Sequence, residues 1–420
     1  MIYSLQYGTG TMDIDLDPSL VRAVLKPKPV RPVDDVTAAS LASQRQPLYS
    51  PPLSELLAGK HTALIVTVDH TRPSPRQMIL PILDACSAAG VQPAIILATG
   101  RHRHMTQSEI DAHLGKDIAD AIPVLQHDSF DRGIHRHLGT TSRGTEILVN
   151  KIIFEHDVII GVGIIEPSYL LGWSGGRKLL MPGLAYADSI DSNHFSLVRN
   201  NARIGLLHGN PLSDDAEEFA RNCPFHFITC TISGPNDEPA EVISGDPFKA
   251  HEEACRRAGA IYRVKPATAP VIISSAGGSP YDVDLVQGKK AILPGIELVE
   301  QGGVVILLAE CPEGPGAEKV FIDWLTTKTA EEVYRDVHKR ELFSLGAHGA
   351  NVMARPILER NATVILVTCE SMRRRIAGSY VNTASSLEEA WRMAQEKLGP
   401  NPPVVICEKS RRLICSQMKD

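Results

Sequence analysis

Short runs of apolar and β-branched residues alternate along the chain with segments of helical spacing, and this alternation limits the folds open to it. The runs at 62–68, 93–98 and 158–164 have no polar face, as expected of strands that are buried on both sides of a sheet. Residues 75–89, between the first two runs, have the spacing of an amphipathic helix. This order of strand, loop and helix predicts an α/β fold with a mostly parallel sheet.

A second series of the same kind follows an irregular, proline-containing stretch at 263–270. Its strands are predicted at 271–275, 303–308, 362–367 and 403–406. A chain of 420 residues is long for one hydrophobic core. We therefore predict two Rossmann-like domains with mostly parallel sheets and a cleft between them. They comprise residues 1–266 and 267–420, allowing for the last residues to return to the first domain.

Composition narrows the classes of partner. A net charge of −6 argues against a nucleic-acid or anionic-membrane partner, although a locally basic site could still bind a small anion. The N-terminal residues lack the pattern of a secretory signal, and no apolar run is long enough to span a bilayer. The eight cysteines are scattered without a Cys-x-x-Cys pair, which is typical of reduced thiols. We predict a cytoplasmic protein; its oligomeric state cannot be inferred from the sequence.

Ligands of open α/β sheets bind beyond the carboxyl ends of strands, so the loops at those ends carry the candidate functional residues. The first predicted strand is followed by Asp69, Arg72 and Pro73. Arg72 could clamp a carboxylate or phosphate through two parallel hydrogen bonds, and Asp69 could orient Arg72 or accept from a hydroxyl. The alternative is a surface ion pair with a helix cap.

The loop after the second predicted strand contains His102 and His104, with Arg101 and Arg103 around them. Neighbouring positive charge disfavours the imidazolium form, which keeps a histidine neutral and able to act as a base. The alternative is a solvated basic loop.

The densest segment follows the third predicted strand and runs from Gly172 to Gly183. Within it, Ser174-Gly175-Gly176 at a helix start would present N–H groups to an anion, although the spacing is not that of a Walker A loop. Lys178 precedes three apolar residues and follows an arginine, so we expect a lowered pKa and a nucleophilic or covalently modified amine. The alternative is a lysine that extends from a helix into solvent.

Three further residues complete the candidate set. His194 has no second histidine or cysteine at ligand spacing, so it cannot form a metal site from protein ligands alone. If His194 binds a metal, the other ligands must come from elsewhere. In the second half of the chain, Gln287 and Lys290 lie at i and i+3 on one helical face, where they could recognise a carboxylate and a hydroxyl together. The alternative there is a solvated helix face.

The order and spacing of these segments resemble the nickel-dependent lactate racemase family over most of the chain. The most specific part is the pattern Gly-x-Ser-Gly-Gly-x-Lys-x-x-x-Pro-Gly at Gly172–Gly183. The resemblance implies that Lys178 carries a nickel-pincer nucleotide, a pyridinium-3-thioamide-5-thiocarboxylic acid mononucleotide that grips nickel through sulfur, carbon and sulfur. It implies that His194 completes the coordination, and such a donor set suits square-planar nickel.

The same resemblance gives roles to the other loops and implies a reaction. A base removes the hydroxyl proton of a 2-hydroxy acid, and the C2 hydride passes to the cofactor and returns to the opposite face. The implied partners are a small anionic hydroxy acid and, transiently, the cofactor-synthesis enzymes, with no nucleic acid and no membrane. The implied residues are His102 as acid/base, Asp69, Ser174, Gly175 and Gly176 at the cofactor, and Arg72, Gln287 and Lys290 at the substrate.

Two positions depart from the family pattern. Ser168 stands where the family racemase has a second catalytic histidine, and Val286 replaces a tyrosine. A neutral hydroxyl is a poor base, so Tyr169, His104 or a water held by Glu166 could take its place. Alternatively, the enzyme could favour one direction on a larger hydroxy acid or a sugar acid.

Two other functions stay open on the sequence alone. The first is a non-catalytic α/β protein that binds an anionic metabolite or nucleotide at the same basic loops, because loss of a catalytic histidine is what decay of activity would look like. The second is a lysine-dependent enzyme that forms a Schiff base. Our prediction is an isomerase that depends on nickel and acts on a 2-hydroxy acid or sugar acid.

Overall fold

The chain forms two compact units with a mixed α/β fold. The computed structural model describes residues 1–199, 202–316 and 318–415, with the backbone alone at 196–199. One unit spans Pro29–Ile261, and the other combines Met1–Lys28 with Tyr262–Asp420. Each unit contains a six-stranded, mostly parallel sheet, which confirms the α/β class predicted from the apolar runs.

The regular elements are numbered in chain order. The β-strands are β1 (Ile2–Tyr7), β2 (Gly10–Asp15), β3 (Val21–Leu25), β4 (Thr62–Thr67), β5 (Gln92–Leu97), β6 (Val124–Gln126), β7 (His135–Thr140), β8 (Glu146–Asn150), β9 (Val158–Ile165), β10 (Pro167–Ser168), β11 (Gly172–Trp173), β12 (Phe227–Ser233), β13 (Pro239–Gly245), β14 (Ala269–Ser275), β15 (Val299–Leu308), β16 (Thr363–Val367), β17 (Asn382–Ala384) and β18 (Val404–Cys407). The α-helices are α1 (Val36–Arg45), α2 (Leu53–Leu57), α3 (Arg76–Ala89), α4 (Gln107–Leu114), α5 (Lys116–Ala121), α6 (Ala187–Arg199), α7 (Pro211–Arg221), α8 (Lys249–Tyr262), α9 (Leu285–Gly288), α10 (Leu293–Leu298), α11 (Lys319–Thr327), α12 (Ala330–Asp336), α13 (Ala347–Arg360), α14 (Glu370–Arg375) and α15 (Leu387–Leu398).

In the Pro29–Ile261 unit, the sheet has the strand order β13-β12-β9-β4-β5-β6, and only the edge strand β13 is antiparallel to its neighbour. β5 and β6 continue from β4 to one side, whereas β9 and β12 lie on its other side. The strand order therefore reverses between β4 and β9. The carboxyl ends of these two strands flank the topological switch point, where open α/β sheets bind their ligands.

The core of this unit forms where helix α3 packs on the sheet. Met78, Ile79 and Ile82 of α3 are buried in one cluster with Ile65 of β4 and Ile95 of β5. α3 ends where the next residue, a glycine, adopts a left-handed backbone with a φ of 69°. The continuous apolar character of β4 follows from this packing, because both faces of a central parallel strand are covered.

The second unit has the strand order β17-β16-β15-β14-β18-β3, with all of its neighbouring strands parallel. β3 comes from the N-terminal segment and pairs with β18, so residues 1–28 belong to this unit. The prediction that they join the first domain is therefore wrong. It could not have been made correctly from the sequence, because strands that pair across such a long stretch of chain share no local pattern. At the other end, Ile414 N–H donates to the carbonyl of Tyr262 at 3.0 Å, which keeps the last described residues in this unit as well.

The remaining global predictions concern cysteines and membranes. All eight cysteines are free thiols, and six of them are buried. The cysteines are scattered along the chain because most of them fill separate positions in the buried interior of the two units. No α-helix within the described ranges is long and apolar enough to cross a membrane.

Candidate active site

Three loops of the Pro29–Ile261 unit meet at the carboxyl ends of β4, β5 and β9. The loop after β5 reaches the glycine-rich segment after β9, because Gly100 N–H donates to the carbonyl of Gly183 at 3.0 Å. The loop after β4 reaches the end of β9, because Nε of Arg72 lies 3.4 Å from Oε1 of Glu166. The loops identified separately in the sequence therefore form one site at the switch point of this sheet.

A carboxylate and an imidazole form a pair in this site. Oδ2 of the buried Asp69 lies 2.6 Å from Nδ1 of His102, whose side chain is half exposed. The hydroxyl and N–H of Thr71 donate to Oδ1 of Asp69 at 2.5 and 3.0 Å. Burial alone would raise the pKa of Asp69, but the hydrogen bonds from His102 and Thr71 outweigh it and hold the pKa below its ordinary value. A carboxylate on Nδ1 leaves Nε2 of His102 as the proton acceptor.

The two arginines beside this histidine contact other carboxylates. Nη1 of Arg101 donates to Asp191 of α6, and Arg103 forms an ion pair with Glu109 at 2.6 Å. The prediction that both arginines set the charge environment of His102 is therefore wrong. Each arginine is balanced by its own partner, and the charged group in contact with the imidazole is the carboxylate described above.

Arg72 turns away from Asp69 and towards β9. Its ion pair with Glu166 is partly enclosed, with 25% of the Arg72 side chain and 5% of the Glu166 side chain exposed. Nη1 of Arg72 also donates to the carbonyl of Thr71 at 2.8 Å. Asp69 therefore does not orient Arg72, and of the two roles considered for Asp69 it takes that of acceptor from a hydroxyl. The sequence predicts for Glu166 only that it could hold a water, but its position directly after β9 places it beside the β4 loop.

Ser168 lies in a small hairpin formed by β10 and β11. It pairs with Gly172, which has a φ of 74°. A Cβ atom at Gly172 would lie 1.9 Å from the carbonyl oxygen of Leu206, so only glycine fits there. The first glycine of the family pattern thus allows the hairpin to pack closely against the chain that follows α6.

The segment after this hairpin is a single 3-10 turn at Gly176–Leu179. The prediction of a helix start that offers N–H groups to an anion is wrong at Ser174, because its N–H donates to the carbonyl of Glu166 at 2.9 Å. The Ser174 hydroxyl donates to the carbonyl of Ile164 at 2.6 Å and accepts from the Glu166 N–H at 2.8 Å. Ser174 therefore fastens the glycine-rich turn to the end of β9.

A buried arginine lies under the turn. Arg177 is 1% exposed and donates to the carbonyl of Leu171 at 2.9 Å and to the hydroxyl of Ser213 at 2.6 Å. It also contacts Nδ1 of His251 at 3.3 Å, and Nε2 of His251 lies 2.9 Å from the carbonyl of Ser174. Burial is the main reason that the pKa of His251 falls to about 3, so this imidazole is neutral. No pattern in the sequence predicts a role for His251, which lies in α8.

Lys178 follows in the same turn and is half-buried. Burial lowers the pKa of its amine to about 7; the positive charges of Arg72 and Arg177 act in the same direction, whereas Glu166 opposes them. The sequence predicts the same change, a lowered pKa for the Lys178 amine. An amine with this pKa is uncharged in about half of the molecules at pH 7, and the uncharged form is a nucleophile.

Helix α6 places His194 near the same loops. His194 is 6% exposed and lies one helical turn after Asp191, the partner of Arg101 in the β5 loop. The neighbouring Asn193 donates to Oδ2 of Asp215 in α7 at 2.7 Å. These contacts hold the helix on two sides.

The second unit carries the remaining predicted residues. Nζ of Lys290 donates to Oε1 of Gln287 at 2.6 Å, so these two side chains do share one face. Asp284 caps the turn by accepting from the Gln287 N–H at 2.7 Å. The adjacent Lys289 is buried and forms an ion pair with Glu318 at 3.2 Å. Lys289 therefore anchors the turn, whereas Lys290 pairs with Gln287.

Comparison with known proteins matches both units to one family. The model of the lactate racemase N-terminal domain matches residues 7–205, and that of the lactate racemase C-terminal domain matches residues 264–412. The lactate racemase of Thermoanaerobacterium thermosaccharolyticum is 29% identical over 402 residues, which is 93% of each chain. The lactate racemase of Lactiplantibacillus plantarum is 31% identical over 280 residues, which is 66% of each chain.

Solved structures agree with the sequence comparisons. The lactate racemase apoprotein from T. thermosaccharolyticum superposes with a TM-score of 0.93 at 27% identity, covering 99% of this chain and 100% of that one. A Thermotoga maritima protein of known crystal structure has a TM-score of 0.65 at 18% identity, covering 87% of this chain and 96% of that one. The second likeness concerns the fold alone.

Proposed function

Because this chain belongs to the lactate racemase family, we propose that it is a nickel-dependent racemase or epimerase of 2-hydroxy acids or sugar acids. Family membership supports an isomerase of the racemase type. The proposal adds the nickel-pincer nucleotide and its attachment to Lys178. The observation that carries it is the half-buried Lys178 amine, with a pKa of about 7, in a turn between Arg72 and the buried Arg177.

The residues present fit such a group. An amine that is about half uncharged near pH 7 can be joined covalently to a nucleotide, and the buried imidazole of His194 would supply one nitrogen donor. Within the described ranges, no cluster of three or more His, Cys, Asp or Glu side chains could hold a metal ion. The remaining ligands would therefore come from the bound nucleotide. When bound, this group would supply the other donors to nickel and accept and return the C2 hydride.

The residues of the chain would handle binding and proton transfer. Nε2 of His102 would take the hydroxyl proton of the substrate and give it back, while Asp69 holds the ring and stabilises its charged form. The guanidinium of Arg72 would bind the carboxylate. Gln287 and Lys290 would offer an amide and an ammonium group for recognition of an anion.

A second proton carrier is needed for symmetric racemisation, because the Ser168 hydroxyl does not titrate near neutral pH. Nε2 of His104 lies 3.1 Å from the carbonyl of His127, and the carboxylate of Glu166 pairs with Arg72. Tyr169 lies in the hairpin that also carries Ser168. We propose that Tyr169, His104 or a water held by Glu166 carries the second proton.

The substrate class and setting follow from the family. The curated relatives are named as lactate racemases, and we propose for this chain a small anionic 2-hydroxy acid or sugar acid, with the replacement at Ser168 arguing against lactate itself. We further propose that the enzyme is cytoplasmic and meets the cofactor-synthesis enzymes transiently. Nucleic acid and membranes have no part in this proposal.

A second function is favoured by the same lysine. An amine with a pKa near 7 also suits a Schiff base with a keto acid. Reduction with borohydride in the presence of pyruvate would trap that adduct on Lys178. Trapping without any dependence of activity on nickel would favour this second function, whereas a chain with neither property would be a binding protein for an anion.

The decisive experiment is mass analysis of the Lys178 peptide after co-expression with the cofactor-synthesis enzymes. We expect a modified lysine, bound nickel and interconversion of the enantiomers or epimers of at least one member of a hydroxy-acid panel. Lys178→Ala should abolish the modification, whereas His194→Ala should keep the modification and lose nickel. The T. thermosaccharolyticum lactate racemase serves as the loading control. Modification of that control with an unmodified Lys178 here would reject the proposal.

A further inference from the structure

Glu166 is fixed more firmly than any role considered for it so far requires. Its N–H donates to the Ser174 hydroxyl at 2.8 Å, and its carbonyl accepts from the Ser174 N–H at 2.9 Å. The Ser174 hydroxyl is itself held by the carbonyl of Ile164 at 2.6 Å. Both polar groups of the Glu166 backbone are therefore bonded to one residue of the glycine-rich turn.

The side chain of Glu166 is buried next to two cationic side chains. Oε1 lies 3.4 Å from Nε of Arg72, and the negative charge of Glu166 raises the pKa of Lys178 against the effect of burial. Removing a carboxylate from water costs several kcal/mol, and close positive charge or hydrogen bonds must offset this cost. A buried glutamate at a topological switch point is thus placed where it affects both neighbouring cations.

Arg72 is constrained at two points. Nε faces Glu166, and Nη1 donates to the carbonyl of Thr71 at 2.8 Å. A guanidinium has five N–H donors in one plane, so fixing two of its nitrogens fixes the direction of the third. The Nη2 group is then presented in a single orientation.

We propose that Glu166 is a positioning residue that orients the guanidinium of Arg72 for the substrate carboxylate. This rests on the proposed function in so far as Arg72 binds a hydroxy acid. Ser174 belongs to the same device, because it fixes the backbone of Glu166. The charged groups around the Lys178 amine are then Arg72 from the β4 loop, Glu166 from the end of β9 and Arg177 from its own turn.

A double-variant cycle on the loaded enzyme tests the action on Arg72. Glu166→Gln should raise the KM for the hydroxy acid by about tenfold and change kcat by less than about threefold, since binding is disturbed and proton transfer is not. In an Arg72→Lys background, Glu166→Gln should have almost no further effect, because the group it orients is gone. An unchanged KM, a fall in kcat alone, or a full effect in that background would each overturn the proposal.

Unloaded protein, made without the cofactor-synthesis enzymes, gives a readout that does not depend on activity. The Nε–H proton of Arg72, assigned by its absence in Arg72→Lys, should exchange more slowly in the wild type than in Glu166→Gln, because the ion pair with Glu166 partly encloses it. An unchanged exchange rate would overturn the proposal.

The control is Glu241→Gln on β13, which breaks a more exposed Arg–Glu pair with Arg257 of α8. It should leave KM and the exchange of the Arg72 proton unchanged. If the wild type interconverts no 2-hydroxy acid, the proposed function fails. The exchange readout on unloaded protein then still decides whether Glu166 holds Arg72.

Discussion

Nδ1 of His102 lies 2.6 Å from Oδ2 of Asp69, whereas Arg72, three residues further along the same loop, turns to Glu166. The loop after β4 therefore contacts two other loops. Asp69 contacts His102 after β5, and Arg72 contacts Glu166 after β9. The imidazole on one side is placed for proton transfer, and the guanidinium on the other side for charge recognition.

Asp69→Asn should lower kcat by about 100-fold, because an amide neither fixes the ring of His102 nor stabilises its charged form. The KM should change little. Steady-state kinetics of the loaded enzyme measure both constants. Asp117→Asn, which removes an ion pair with Arg76, is the control and should retain full activity. Equal activity of the two variants would contradict a role for Asp69.

Lys178→Met should change how the stability of the unloaded protein depends on pH. The unfolded chain holds this proton up to about pH 10.5, but the folded chain releases it near pH 7, so the unfolded state binds more protons between these values. The wild-type free energy of unfolding should therefore gain a contribution from Lys178 as pH rises from 7 to 10.5. Loss of Lys178 should remove that gain and, since one pKa unit corresponds to about 1.4 kcal/mol, add up to about 5 kcal/mol below pH 7.

Urea unfolding at several pH values measures this effect. Lys116→Met is the control, since 72% of that side chain is exposed and its burial costs nothing comparable. A Lys178→Met curve parallel to the wild-type curve at all pH values would show that the amine is not desolvated.

Gly172→Ala should destabilise the Pro29–Ile261 unit by about 3 kcal/mol or more, since the added Cβ would lie 1.9 Å from the carbonyl oxygen of Leu206. Gly209→Ala separates this clash from backbone strain. Gly209 has the same φ of 74°, but its added Cβ would meet nothing within 4 Å. That control should cost only about 1 kcal/mol. Similar urea midpoints for the two variants would refute the close packing at Gly172.

Ser168→His should restore a titratable proton carrier and change the ratio of kcat for the two enantiomers by about tenfold or more. The equilibrium between enantiomers is symmetric, so kcat/KM must stay equal in both directions and the change must appear in kcat itself. Polarimetry started from each pure enantiomer measures the two rates. Ser108→His, on the exposed surface of α4, is the control. An unaltered ratio would place the second proton carrier away from position 168.

The sequence was a good guide to the strands and to the loops that carry function. Continuous apolar runs mark the strands because both faces of a central parallel strand are buried, and ligands collect where such strands end. The lowered pKa of Lys178 could also be predicted, because its neighbours along the chain are apolar or positively charged.

Partner choice could not be predicted. Asp69 pairs with His102 and not with Arg72 because β5 and β9 lie on opposite sides of β4, and strand order is not a local property of the sequence. The same applies to His251 under the glycine-rich turn and to Asp191 beside Arg101. Each of these contacts joins residues that are distant in the chain and have no shared pattern.

The pairing of β3 with β18 has a consequence for synthesis of the chain. β3 emerges from the ribosome before the whole Pro29–Ile261 unit, and its partner β18 emerges only after it. The unit that carries Lys178 can therefore complete its sheet while β3, the edge strand of the other unit, has no β18 to pair with. Domains generally fold as units as they are made. The turn that carries Lys178 is therefore assembled first, and the sheet that contains β3 and β18 is completed last.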